Sequence, residues 1–533
     1  MHELRRESRR LWQGAFILTA AGVLVKILSA VYRMPYQNFA GDIGFYVYQQ
    51  IYPFYALAVA LGGTGFPIVI SKYIAEPRQV GRADSKSYVQ YHARLALFFL
   101  CGSIFLLLLL FSGSLAQAMG DERLAPLLRI AAWIYIFVPF IAVLRGAFQG
   151  IDQNMLPTAV SQIGEQFIRV VMIISAARFL FQHHAGPYQF GEAAIGASVL
   201  APTASLLILL FFRWRSGYRH KGKRSISIVL DWLLVGRLLL SGALFSILAL
   251  PLAAFQLVDS LSVIRLLRSA AIANPEAIKG VYDRAYVLTQ FGMIASAALT
   301  AALVPGLATL ASNRKLNEIR RQTTLAIKIS FAFGLAASCG LAVLSGPVNI
   351  MLFRNNHGAL SFAIIAFTML TLSLILTTSG VFAAMGHPFL PFLFLCVGTA
   401  VKVALNLFLI PVFSIAGAAV ATCGATAIAA GLSIWTLRRL RLINGWSFAS
   451  SGKLLIAAVV MGTAVYGVEQ LIGVVSRVQA AATAFTGSVM GAAVFVLMLI
   501  IFRYFNSSDL ARLPITVPWS AKHRRGTQRN PKM

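Results

Sequence analysis

Residues 157–181, PTAVSQIGEQFIRVVMIISAARFLF, decide how the chain is read. The stretch is apolar and longer than the roughly 20 residues that a helix needs to cross a bilayer. It nevertheless carries Glu165 and Arg169, which share one helix face at a spacing of four. A charge at the bilayer centre costs about 2.5–3.5 kcal/mol on insertion scales, so such residues turn toward a bundle interior or a wet cavity. The second half holds a counterpart, Lys402, inside the apolar run 389–409. Further ionisable residues in apolar surroundings are Lys26, Arg33, Asp259, Arg265, Arg268, Asp283 and Arg284. The pattern predicts an all-α polytopic membrane protein with a polar interior.

Composition agrees. The 533 residues are 58% hydrophobic and 12% charged, with mean hydropathy +0.76, whereas a soluble domain is about 25% charged. About fourteen apolar stretches have the length of a crossing. They lie near 12–34, 44–71, 92–118, 125–148, 157–181, 191–213, 232–258, 281–311, 323–346, 359–384, 388–411, 414–437, 453–473 and 479–504.

A net charge of +29 in a soluble chain would suggest nucleic acid. Here the basic residues fall in alternate loops: Arg5–Arg10, Lys72–Arg94, Arg213–Arg224, Arg314–Arg321, Arg438–Lys453 and the tail from Arg503. The intervening loops hold Asp42, Asp121, Glu122 and the stretch 183–192. This bias excludes a nucleic-acid partner and predicts that both termini are cytoplasmic in a bacterial plasma membrane. The basic start before 11–30 looks like a signal peptide, but the apolar run is too long and is expected to be a retained span. Cys101, Cys339, Cys396 and Cys423 all lie in apolar runs without ligand spacing, so neither disulfides nor a metal site is expected. No nucleotide-binding loop occurs, so direct use of ATP is not expected.

The two halves echo each other. Gly146-Ala147-Phe148 precedes Pro157, and Gly380-Val381-Phe382 precedes Pro391. Arg169 follows the first proline and Lys402 the second at nearly equal distance. Gly196-Ala197-Ser198-Val199 matches Gly417-Ala418-Ala419-Val420, and Pro67 with Ser71 matches Pro305 with Ser312. The expected division is an N-lobe (1–213), a basic cytoplasmic linker (214–231), a C-lobe (232–437), two appended spans (438–505) and a basic tail (506–533). Parallel repeats place a site between two lobes. Small residues such as Gly62-Gly63-Thr64-Gly65 are read first as close helix packing, and second as a hinge.

Arg145-Gly146-Ala147-Phe148-Gln149-Gly150, then Pro157, then Ser161-Gln162-Ile163-Gly164-Glu165 and Arg169 resemble a block of the polysaccharide transport family that includes stage V sporulation protein B. Gly65-Phe66-Pro67 with Ser71-Lys72, and Lys402 with Asn406, Pro411 and Gly417-Ala418-Ala419, extend the resemblance over nearly the whole chain. The family belongs to the multidrug/oligosaccharidyl-lipid/polysaccharide exporter superfamily. The resemblance implies two six-helix lobes, two further helices, and movement of lipid-linked sugars across the membrane. Asp283-Arg284 before Pro305, with Lys26 and Arg33, is similar more distantly to the lipid II flippase. The chain departs from that relative in having no arginine in 49–61 and Lys26 in place of arginine.

Such a cargo carries an anionic pyrophosphate. Arginine suits it because the guanidinium fork donates parallel hydrogen bonds. Lys26, Arg33, Arg268 and Arg284 are the candidate cavity residues. Asp259 and Asp283 could hold arginines in place or bind a coupling cation, H+ or Na+. For Glu165 with Arg169, an ion pair fixing helix register weighs as much as a relay. No cofactor is expected, and membrane lipids and cell-wall synthesis enzymes are candidate neighbours. A cation-coupled multidrug exporter of the same fold would need a more acidic cavity. A membrane-embedded glycosyl polymerase or ligase would need carboxylates in a sizeable outer loop, and the longest outer loop expected, 260–280, is basic.

Overall fold

The computed structural model describes residues 2–75, 85–151, 154–216, 230–312, 315–443 and 448–505. The basic clusters at Arg78 and Arg82, Arg219–Arg224 and Arg314 lie outside the described residues, as do most of the 214–231 linker and all of the 506–533 tail. Every regular element among the described residues is helical. The first half contains α1 (His2–Val31), α2 (Arg33–Ala60), α3 (Phe66–Ala75), α4 (Ser85–Leu110), α5 (Ser112–Ala118), α6 (Ala125–Ala132), α7 (Ile134–Ile151), α8 (Leu156–Gln182) and α9 (Pro187–Arg215). The second contains α10 (Trp232–Leu248), α11 (Pro251–Ser269), α12 (Pro275–Ser312), α13 (Leu316–Val343), α14 (Ser345–Phe353), α15 (Ala359–Ala366), α16 (Thr368–Ala384), α17 (Phe389–Arg439), α18 (Phe448–Ile472) and α19 (Arg477–Ile501).

Local chemistry sets the helix starts. Pro157, Pro187 and Pro251 occupy the first helical turns of α8, α9 and α11, where a missing N–H costs nothing and the ring pre-sets φ. Asp231 caps α10 by accepting from the Leu234 N–H at 2.9 Å. Ser476 and Gln479 form a capping box at α19.

By length and apolarity, nine helices among the described residues can cross a membrane, or ten if the bent pair α10–α11 counts as one span. Two of the nine, Ile17–Ala75 and Phe389–Arg439, hold 59 and 51 residues, more than twice a single crossing. They are broken at Gly41 (φ 68) and Ser414 (φ 52). Each of these two long helices covers two of the fourteen expected stretches, and α8 and α12 are not among the nine. Two further expectations are corrected. The span read as 232–258 is two helices bent by 82°, because Pro251 starts a new one. The stretch 260–280 is helical except for residues 270–274, so no long outer loop exists there.

The buried side chains form two large clusters. One gathers residues from Tyr32 to Leu238 with Ile264 and Val287; the other runs from Leu252 to Tyr504. Each half therefore dominates one core, although Leu234, Val235 and Leu238 of α10 pack into the first, against α3 and α4. Helices α1 and α2 also pack against α12, and α2 against α11, so the halves meet across these elements. The outward surface is studded with Leu207, Leu240, Phe408, Val412 and Leu471, an apolar exterior that only a bilayer solvates favourably.

Candidate functional site

The motif at 145–165 builds a clasp. Residues Leu61–Gly65 form one π-helical turn, which breaks the regular ladder and frees carbonyls. Arg145 Nη1 donates to the Gly62 carbonyl at 3.2 Å, and Gln162 Nε2 to the Gly63 carbonyl at 3.0 Å. Arg145 also donates to Ser161 Oγ at 3.0 Å, Ser205 Oγ at 2.8 Å and Glu165 Oε2 at 2.9 Å. Gln149 donates to Thr158 at 3.3 Å. Gly146 and Gly150 let α7 close on α3: an added Cβ would come within 2.7 Å of Ile70 and 2.9 Å of Ser71. Most of this block is thus packing and hydrogen-bond structure that ties α7, α8 and α9 to the turn before α3. Glu165 pairs with Arg145 and not with Arg169, which corrects the expected intrahelical pair. Arg145 is wholly buried and holds Glu165 from the facing helix, leaving Arg169 to turn elsewhere.

Arg169 turns into a tyrosine cage. Its guanidinium lies over the rings of Tyr55 (4.5 Å) and Tyr32 (5.3 Å), and Nη2 donates to Ser29 Oγ at 3.3 Å. Arg33 stacks over Tyr52 at 4.2 Å. Tyr32 and Tyr48 share a hydrogen bond of 2.5 Å between their hydroxyls. Both arginines are buried, at 0% and 2% exposure. None of the three Arg33 guanidinium nitrogens makes a well-aligned hydrogen bond among the described residues, nor does Arg169 Nε, although the Tyr32 hydroxyl lies beside Arg33. No carboxylate pairs with either arginine among the described residues. Ring faces supply some attraction, but an unpaired buried charge is costly, so these N–H groups form a pair of donors awaiting an acceptor. Lys26, one turn before Ser29 on α1, is exposed.

The second half repeats the placement with opposite electrostatics. Lys402, on α17, forms an ion pair of 2.7 Å with Asp259 of α11, both at 0% exposure. Lys402 also donates to the Phe255 carbonyl at 2.9 Å and to Tyr286 Oη at 3.2 Å. Asp259 accepts from Tyr286 at 2.5 Å, Tyr282 at 3.0 Å and Asn406 at 3.2 Å. Asp259 therefore holds a lysine, not one of the arginines considered above. Asp283 pairs with Lys279 one helical turn away.

A third group joins the halves at the end where the sequence places outer loops. Arg284 donates Nε to Asp42 at 3.0 Å and Nη1 to Asn355 at 2.7 Å, and its Nη2 also meets Asp42. Gly280 permits this approach, because a Cβ there would lie 2.0 Å from the Asp42 carbonyl oxygen. Asn38 donates to the Leu352 carbonyl at 3.0 Å. Arg123 and Arg268 share Glu276 at 3.3 and 2.6 Å, and Arg268 also meets the Gly120 carbonyl. Nearby, the Tyr188 phenol donates to Asp121. Arg284 and Arg268 are thus clasp residues in this state and do not converge with Arg33. Among the described residues no group of acids, histidines and cysteines could hold a metal ion.

The tyrosines were missed in the sequence. Tyr48, Tyr52 and Tyr55 recur at helical spacing, and Tyr282 and Tyr286 stand one turn apart, a signal that could have found them.

Two helical halves, each with an ionisable core, and a clasp between them define a two-lobed membrane transporter fold. A family profile described as "Polysaccharide biosynthesis protein" matches residues 11–311. The chain is 35% identical to the "Uncharacterized membrane protein YabM" of Bacillus subtilis (strain 168), over 97% of each chain. It is 26% identical to that organism's "Stage V sporulation protein B", covering 94% of this chain and 97% of the relative. It is also 22% identical to the organism's "Lipid II flippase MurJ", over 92% and 95%. Among solved structures, a lipid II flippase MurJ in an inward closed conformation superposes with TM-score 0.67 at 15% identity, covering 93% of this chain and 100% of that one. An inward-facing MATE family multidrug transporter of the MOP superfamily gives 0.60 at 17%, over 80% and 98%. The chain belongs to the polysaccharide biosynthesis protein family, with the fold of the MOP-superfamily transporters.

Proposed function

We propose that this chain is a flippase that carries a polyprenyl-pyrophosphate-linked saccharide from the inner to the outer leaflet by alternating access. The observation that carries the reading is the Arg33–Arg169 pair: two buried guanidinium groups with orphaned N–H donors and no carboxylate. An anionic headgroup supplies the acceptors they lack, and the tyrosine rings offer apolar walls that keep other anions weakly solvated. A multidrug exporter for cations would leave these charges unmatched.

In this reading 1–213 and 232–437 are the moving lobes, 438–505 the appended spans, and the basic linker and tail face the cytoplasm of a bacterial plasma membrane. The Arg284–Asp42 and Glu276 contacts close the outer side. Lys26 lines the entry to the arginines from the wet side. An inside-negative potential favours outward movement of an anion by about 2.3 kcal/mol per charge per 100 mV, so the cargo's own charge assists export. The relatives' names point to lipid II as one candidate cargo and to sporulation as one setting.

The test is rescue of cells depleted of their lipid II transporter, read with transport in reconstituted vesicles. Wild type is expected to move a polyprenyl-pyrophosphate saccharide, and Arg33→Ala to stop it while the protein stays in the membrane. Rescue names the cargo as lipid II, and vesicle transport without rescue names another saccharide. A wild-type chain that moves no such lipid, or an Arg33→Ala variant with full transport, overturns the proposal.

A further inference from the structure

The Asp259 site in the second half has the composition of a cation site, and a side chain already fills it. Around Lys402 Nζ stand the Asp259 carboxylate at 2.7 Å, the Phe255 carbonyl at 2.9 Å and Tyr286 Oη at 3.2 Å. Thr422 Oγ1 lies 3.1 Å from Tyr282 Oη, which also meets Asp259, Tyr286 Oη at 3.2 Å and the Ala418 carbonyl at 3.3 Å. The Asp259 carboxylate, the Phe255 carbonyl and the Tyr286 hydroxyl around Nζ are hard oxygen ligands whose summed charge balances one monovalent cation. The site is dry: Asp259, Lys402, Asn406 and Thr422 are all at 0% exposure. Asn406 donates to Asp259 Oδ1, while Tyr282 and Tyr286 donate to Oδ2, the oxygen that also meets Lys402, so the carboxylate is crowded with donors and Lys402 is its paired cation among the described residues.

We propose that Lys402 is a tethered cation: its ammonium takes the place of a free sodium ion, so this half of the molecule keeps its charge balance without binding sodium. The consequence for the proposed transport is that no sodium gradient is drawn on here. That consequence rests on the flippase reading, but the site itself does not.

The test reads sodium binding and not transport, so the two can fail separately. Full-length protein in detergent is assayed for 22Na+ binding and for thermal shift when sodium replaces choline at fixed ionic strength. Wild type is expected to bind no sodium at this site and to show no sodium-dependent shift. Lys402→Ala and the bulkier Lys402→Gln are expected to gain one bound sodium ion and a melting temperature that rises with sodium. Asp259→Asn added to either should abolish the gain. Two results overturn the inference: sodium binding by wild type that Asp259→Asn removes, or folded Lys402 variants that bind none. Should neither variant fold, the wild-type arm decides alone, since sodium-independent wild type supports the tethered charge and sodium-dependent wild type refutes it.

Discussion

Arg169 and Lys402 occupy matching places in the two repeats, yet they live in opposite electrostatic worlds. Each projects from the helix that follows its repeat's proline, and each meets tyrosines of a neighbouring helix. Lys402 is neutralised by Asp259 at 2.7 Å. Arg169 has Tyr32 within reach instead, and its neighbour Arg33 adds a second unpaired charge. The position that is aspartate on α11 has no acidic counterpart on α1. The buried Lys402 charge is thus paired, and in the proposed reading the arginines of the other half are paired only when an anion enters. In this account the first half receives cargo while the second supplies a rigid partner.

The largest expected effect comes from breaking the Lys402 pair. Asp259→Ala strands the Lys402 ammonium in a dry core, and removing one partner of a buried pair costs about 3–5 kcal/mol. Thermal unfolding in detergent should show a correspondingly large drop. Removing both charges, with Asp259→Asn and Lys402→Met, should recover most of it, because an apolar substitute for a buried pair is often neutral. If the double variant is as unstable as the single one, the pair is not what stabilises this half.

The arginine half should behave in the opposite way. Arg33→Ala removes a charge that nothing balances, so stability should hold or rise while headgroup affinity falls. A lost charged hydrogen bond is about 1.5–3 kcal/mol, a fall of roughly 10–100-fold. Arg33→Lys should be intermediate, since it keeps the charge and loses the planar fork. Equal destabilisation by Arg33→Ala and Asp259→Ala would erase the contrast between the halves.

The smallest effect concerns the clasp that joins them. Asp42→Asn weakens a partly exposed pair with Arg284, worth about 1 kcal/mol, or a population shift of roughly fivefold. Outside labelling of an Asn38→Cys reporter should rise by about that factor. No change would mean that the Asp42–Arg284 contact does not hold the outer side shut.

Much of this organisation was legible in the sequence, and the reasons for the rest are physical. Hydropathy and charge bias fixed an all-helical membrane chain, and the spacing of Pro157 and Pro391 pointed to Arg169 and Lys402 as equivalents. Partners were not legible, because a helix spacing shows who could pair locally but not who is better placed in space. Glu165 chose Arg145, twenty residues away, over Arg169, four away. Arg284 found Asp42 at a separation of 242. The broken spans were hidden for a related reason. A π-helical turn at Leu61–Gly65 and the 82° bend before Pro251 leave hydropathy unchanged, so the apolar runs 44–71 and 232–258 kept their length while the helices bent.

The most direct measurement is binding of a polyprenyl pyrophosphate to the purified full-length protein at several salt concentrations, compared with Arg33→Ala and Arg169→Ala. The account predicts saturable, salt-weakened binding to wild type, a loss of about tenfold or more in each variant, and preserved melting temperatures. Undiminished binding in both variants would contradict it, because the headgroup would then be held somewhere other than the tyrosine-walled arginine pair.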